Sequence, residues 1–181
     1  MSQLIEVPFH SQLDNEADSD SGWWNECSYS SMAMLLAAIG MVGDGRANLD
    51  DYIELEYEKA GYKRGAPFDM NVYMDGVAQK FGKSAKFTRR GSRGELRSLL
   101  DRDIPTIIHT FLTRSGHILV CRGYDDESYG GRGGWIVNDP YGEWFSWGYD
   151  TTVTGEGLDY SYIGAGSYFG QDGDMWIHGI E

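Results

Sequence analysis

The sequence predicts an α+β fold, with helices in the N-terminal half and an antiparallel sheet in the C-terminal half. Two features carry that reading. Up to Pro105 the apolar residues recur at helical spacing between Gly and Asn punctuation, whereas beyond it they fall into short runs rich in Ile, Val and aromatic residues, separated by Gly-rich turns. Helical and stranded segments are therefore segregated instead of alternating, which is the α+β order and not that of a parallel βαβ sheet. At 181 residues the chain suffices for one domain with a substantial core and is short for two, so residues 1–181 are expected to form a single domain.

Taken in order, Leu4 to Phe9 reads as a short strand ending at Pro8-Phe9, and the polar loop from Asp14 to Gly22 delivers Trp23 and Trp24 to a helix start. The first helix runs from Cys27 through the apolar stretch Met32 to Ile39, and Gly40 and Gly43 stop it. Asn48 is the expected cap of a second helix, in which Leu49, Tyr52, Ile53, Leu55 and Tyr57 fall roughly on one face before Gly61. Asp69 caps the expected third helix, with Val72, Tyr73, Val77 and Phe81 at helical spacing and Gly82 as its stop. Ser92 and Glu95 have capping-box spacing ahead of Leu96, Leu99 and Leu100, a fourth helix closed by Asp103-Ile104-Pro105. Thr106 to Leu112, His117 to Tyr124 and Gly134 to Asn138 are then consecutive antiparallel strands. Between Glu143 and Glu181 only Met175 to His178 reads as a strand or core anchor.

Composition excludes several classes of function. A formal charge of −13 repels a polyanion, so a nucleic-acid partner is not expected. Arg89-Arg90 with nearby Arg93 is read as a solvated loop or helix start. The longest apolar run, Met32 to Ile39, falls far short of the roughly 20 residues that cross a bilayer, so membrane insertion is not expected. The first 30 residues show no basic segment followed by an apolar core of signal-peptide length, which points to synthesis in a reducing cytoplasm, with release to a cell wall as a later possibility. Cys27 and Cys121 have disulfide pairing as one reading, but Cys121 sits in an apolar strand and is better read as core. The oligomeric state is left open.

Cys27 is the most informative residue. In the run Asn25-Glu26-Cys27-Ser28-Tyr29-Ser30-Ser31 it stands at a helix N-terminus, where unpaired backbone N–H groups and the positive dipole end favour a thiolate. A cysteine hydrolase also needs a histidine that takes and returns a proton, a third group that fixes the imidazole, and donors for the oxyanion. His117, after Gly116 at the start of a strand, is the expected base. Asp139, at the end of the next strand, is the expected orienter, with Asn138 as the alternative because neighbouring strand residues point to opposite faces. Gln12 and the backbone N–H of Cys27 are the expected oxyanion donors. His10, His109 and His178 are read as structural.

No cofactor is expected, since the dispersed histidines and cysteines lack zinc-ligand spacing. The acidic loop offers oxygens at Asp14, Asp18 and Asp20 that suit Ca²⁺, yet it lacks the glycine and the distant Glu of an EF-hand, and a solvated loop is the default reading.

The blocks Val7-Pro8-Phe9-His10-Ser11-Gln12-Leu13-Asp14-Asn15, Cys27 to Leu35, Gly116 to Val120 with Gly123-Tyr124-Asp125-Asp126, and Val137-Asn138-Asp139-Pro140-Tyr141-Gly142 together resemble the C39-like peptidases, a branch of the papain-like cysteine peptidases. The resemblance spans about Val7 to Gly142. It implies a papain-like α+β fold, amide cleavage through an acyl-enzyme, and the roles of Gln12, Cys27, His117 and Asp139 given above. Many such chains of this size resemble phage and bacterial cell-wall hydrolases, which makes peptide cross-links of peptidoglycan the expected substrate. Two positions depart from the pattern: Ser28 follows the nucleophile where a smaller residue is usual, and Gln12 lies further upstream of Cys27 than in papain. The alternatives are a protease of a protein or propeptide, and a catalytically silent binding domain of the same fold.

Overall fold

The computed structural model describes residues 1–15, 26–45, 48–170 and 173–181. In chain order the elements are β1 (Ser2–Leu4), α1 (Cys27–Ala38), α2 (Leu49–Lys59), α3 (Pro67–Ala78), β2 (Ala85–Gly91), α4 (Arg93–Leu100), β3 (Thr106–Thr110), β4 (His117–Asp125), β5 (Gly134–Asn138), β6 (Glu143–Phe145), β7 (Gly148–Asp150), β8 (Leu158–Ser161) and β9 (Met175–Ile180). The main sheet runs β2-β9-β3-β4-β5-β8, while β6 and β7 form a separate hairpin. Each pairing is antiparallel.

Strand β4 is the axis of the sheet. Its first half pairs with β3, from Thr110↔His117 to Thr106↔Cys121. Its second half pairs on the same edge with β1, where Leu4 faces Gly123. A side chain at Gly123 would collide with the carbonyl oxygen of Gln3, so glycine lets β1 approach.

Two apolar clusters sandwich the sheet. On one face, α1, α2 and α3 bring Met32, Leu36, Ile53, Met70 and Met74 onto Ile107, Ile118 and Val120. On the other, Leu96 and Leu100 of α4 meet Leu119, Val137, Phe169 and Ile177. Helix α1 is buried from Ser28 to Leu36, which explains why it carries no clean apolar stripe: it is enclosed all round. Three of its hydroxyls are spent on neighbours. Ser30 donates to Asp50 Oδ2 at 3.0 Å, Tyr29 to Glu58 at 2.9 Å, and Ser31 to the carbonyl of Ile118 at 3.2 Å. Truncating Leu36, which is fully buried, would cost about 2–5 kcal/mol.

Several sequence expectations are corrected. The first strand lies at Ser2–Leu4 and not at Leu4 to Phe9; Ile5 still donates to Arg122 O at 2.9 Å, but Pro8 lacks an N–H and the chain leaves the sheet. The third helix begins at Pro67, the first helical position, behind Ala66, because a proline's missing N–H costs nothing there. Asp69 instead accepts from Lys63 N–H at 2.8 Å. Its apolar face is Met70, Met74, Val77 and Ala78, leaving Val72 and Phe81 exposed. Arg89-Arg90 lie in the edge strand β2, whose polar residues tolerate solvent on one side. Ser92 does cap α4, its hydroxyl accepting from Glu95 N–H at 3.1 Å. Strand β3 ends at Thr110 because Phe111 N–H turns to Tyr168 O at 2.8 Å.

Candidate active site

The site forms where the N-terminus of α1 meets the starting end of β4 and the finishing end of β5. Cys27 is the first residue of α1 and is half-buried. Glu26 stands at the N-cap without capping the helix through its side chain. The Ser31 hydroxyl, one turn along, holds Ile118 O, which fixes the helix start at the height of His117.

His117 opens β4 directly after Gly116, whose φ of +86° belongs to the left-handed region glycine tolerates. The turn is tied down by Thr113 Oγ1 donating to Gly116 O at 2.6 Å and Thr110 Oγ1 donating to His117 O at 3.1 Å. The imidazole Nε2 lies 2.7 Å from Asp139 Oδ1, and Cys27 faces the same cleft as this ring and acts on it electrostatically. With Nε2 engaged by the carboxylate, Nδ1 is the nitrogen left for the thiol. Burial opposes a charged His117, but the Asp139 carboxylate and Cys27 outweigh it and hold the imidazole well above its ordinary value.

Asp139 is fully buried. Its backbone N–H donates to Gly155 O at 2.8 Å. Oδ1 also accepts from Tyr141 N–H at 3.1 Å, and Oδ2 accepts from the hydroxyls of Tyr149 at 3.0 Å and Tyr160 at 2.9 Å. Asn138, the alternative orienter, does not reach His117. It faces the other side of β5, donating to Val7 O at 3.3 Å and accepting from Arg122 Nη1 at 3.3 Å and Gly157 N–H at 3.0 Å, as strand alternation requires.

Gln12 is buried, and its backbone N–H donates to Pro140 O at 3.0 Å, which seats its loop against the segment following Asp139. Cys121 is a free thiol in the second core, pushed up to about 12 by burial; Cys27 is also free, so the disulfide reading is set aside. Of the acidic loop, Asp18 and Asp20 lie outside the described residues; among the described residues, Asp14 included, no group of three or more His, Cys, Asp or Glu could hold a metal.

A cleft of about 720 Å³ opens over the thiol. Cys27, Ser28, His117 and Tyr141 line it, together with Arg64, Gly65, Gly116, His109, Asp174 and Trp176. His109 Nε2 and His178 Nε2 are 3.1 Å apart, and burial holds both rings neutral, His109 down to about 4. The sequence reading missed Tyr149 and Tyr160. A Tyr-rich tail was visible, but its spacing carried no signal for which rings face Asp139.

A helix start packed on an antiparallel sheet, with a thiol, imidazole and carboxylate in series at their junction, is the design of the papain-like cysteine peptidases. The model of the Peptidase_C39 like family matches residues 4–168, and the chain belongs to that family. Among solved structures, a protein described as a C39-like peptidase from Bacillus anthracis superposes with a TM-score of 0.62 at 16% identity, covering 100% of this chain and 98% of that one. A double glycine motif protease from an AMS/PCAT transporter, in complex with its leader peptide, gives 0.51 at 18% identity, over 98% and 94% of the two chains. The peptidase domain of Streptococcus ComA, from a bifunctional ABC transporter of a quorum-sensing pathway, gives 0.51 at 15% identity, over 97% and 95%. At these identities the likeness is one of fold. No curated protein matches the sequence. Among the described residues no helix is long and apolar enough to cross a membrane.

Proposed function

We propose that this cysteine peptidase cleaves amide bonds with Cys27 as nucleophile, His117 as base and then acid, and Asp139 as orienter. The observation that carries this is the arrangement itself: Cys27 shares a cleft with an imidazole whose Nε2 is held 2.7 Å from a buried carboxylate. The Cys27 sulfur attacks the scissile carbonyl, and the carbonyl oxygen takes up the negative charge beside the backbone N–H of Cys27 and the Gln12 amide. Collapse of that intermediate breaks the C–N bond as His117 gives its proton to the departing amine, leaving an acyl-enzyme. Water, deprotonated by His117, then attacks the thioester and frees Cys27.

For the substrate we propose a peptide laid across the cleft, specifically the peptide cross-links of peptidoglycan. Glycines in the lining, Gly65 and Gly116, leave room for a chain in the cleft that holds the thiol, and the cleft volume falls in the range of about 300–1,000 Å³ usual for ligand sites. A protein or propeptide substrate is the second reading, favoured by the similar protease whose structure holds a leader peptide. Purified protein and its Cys27→Ala variant are incubated with cell walls and separately with a peptide library, and the digests are read by mass spectrometry. Wall peptides released by wild type alone support the first reading, and cleavage confined to the library supports the second. If neither is cut, or both proteins cut equally, the assignment of Cys27 fails.

A further inference from the structure

A carboxylate buried completely needs its charge met by donors, and Asp139 has four. His117 Nε2 and Tyr141 N–H meet Oδ1, and the hydroxyls of Tyr149 and Tyr160 meet Oδ2. Tyr160 also accepts the backbone N–H of Trp144 at 2.9 Å, which turns its own proton toward Asp139. Each neighbour thus presents a hydrogen to the carboxylate. We infer that Tyr149 and Tyr160 are positioning residues of the peptidase: their hydroxyls hold the Asp139 carboxylate turned with Oδ1 toward His117.

The two rings arrive from different elements. Tyr160 lies on β8, at the edge of the main sheet, whereas Tyr149 lies on β7 of the separate β6–β7 hairpin. The hairpin is anchored over the site by Trp144, whose indole N–H donates to Leu112 O at 2.8 Å. Tyr149 also stands edge-on to the His117 ring, with centroids 5.3 Å apart and planes at 62°, so it restrains the imidazole as well as the carboxylate. Among the described residues the titratable groups around Asp139 are His117 from β4, Tyr141 just beyond β5, Tyr149 from the hairpin and Tyr160 from β8; Glu143 acts on Tyr160, and Cys27 lies beyond His117. Burial first, and the Asp139 charge second, push both phenols far up, so they retain their protons as donors.

The inference rests on the catalytic reading of Cys27, His117 and Asp139, and the test separates the two. Full-length wild type, Tyr149→Phe, Tyr160→Phe and the double variant are prepared with and without Asp139→Asn. Iodoacetamide alkylation of Cys27 is followed against pH, with Cys27→Ala as background, and kcat and KM are measured on a peptide that wild type cleaves. Removing one hydrogen bond to a charged acceptor is expected to move the acid limb of alkylation up by about one pH unit. The same loss lowers kcat by about tenfold, with KM unchanged. In the Asp139→Asn background the phenylalanines add nothing. Phenylalanine variants that keep the wild-type limb and kcat, or that lose as much in the Asp139→Asn background, would overturn the inference. Should the double variant not fold, as read by near-UV circular dichroism, the single variants decide. A wild-type Cys27 that fails to react with iodoacetamide under native conditions sinks the catalytic reading instead.

Discussion

Gly155→Ala tests how finely Asp139 must be placed. Gly155 is buried and its backbone crosses that of Asp139, accepting the Asp139 N–H at 2.8 Å. A Cβ there would overlap the Asp139 carbonyl oxygen and stand 2.8 Å from its carbonyl carbon and 3.4 Å from its Cα. Those atoms are backbone, with no flexible end to swing away, so the two segments must part by about an ångström. Overpacking of this kind costs about 1–3 kcal/mol of stability. The larger effect falls on the carboxylate, because a displacement of about 1 Å in a positioned catalytic group costs roughly 100-fold in rate. Expected, therefore, is a folded protein with a modestly lowered Tm, kcat/KM down about 100-fold, and slowed alkylation of Cys27. Gly76→Ala is the control. It lies on the exposed side of α3 with nothing within 4 Å of its Cβ position, and it should gain about 0.5–1 kcal/mol with activity unchanged. A Gly155→Ala variant that folds and keeps kcat/KM within twofold of wild type would refute the claim that the placement of Asp139 limits the reaction.

Three further outcomes follow from buried titratable groups. Asp50 is pushed up to about 6, chiefly by burial and against the Ser30 hydroxyl; the native state therefore holds that proton longer than the unfolded chain, and stability falls as pH rises from about 4 to 6. Asp50→Asn should stabilise by about 1–3 kcal/mol at pH 8 and by nothing measurable at pH 4, read from urea melts. His109 and His178 are held neutral by burial, His109 down to about 4, so the unfolded chain binds more protons below 6.5. Acidification from 6.5 toward 4 should cost up to about 2.7 kcal/mol per pH unit for two protons, and His109→Gln should halve that slope. His117 has the opposite sign. Raised above 6.5 by Asp139 and Cys27, its contribution is complete below pH 6.5 and is lost as pH climbs into the alkaline range, and His117→Ala should flatten the alkaline slope of stability against pH.

Much of the site was legible because its signals are local. Cys27 opens an apolar helix, His117 follows a glycine at a strand start, and Asp139 ends a strand before Pro140. Strand alternation alone required that Asn138 and Asp139 part, and they do. The Ser92 cap was equally plain, since a cap is a contact between residues three apart. Other elements were not legible. Strand β2 carries the pattern Ala-Lys-Phe-Thr-Arg-Arg-Gly, polar because an edge strand is half solvated, and β6, β7 and β8 are three to four residues long, too short for periodicity to register. Tyr149 and Tyr160 look like any other tyrosine of an aromatic tail.

By itself the sequence determined the chain order of the candidate thiol, imidazole and carboxylate and the segregation of helices from strands, because helix starts, strand ends and turns are fixed by residues within a few positions of one another. Only the tertiary structure decided which nitrogen of His117 meets Asp139, which hydroxyls hold the far oxygen of that carboxylate, and why Gly155 has no side chain. Those outcomes depend on residues that meet from 10 to 22 positions apart in the chain, and no local preference encodes where such a loop returns.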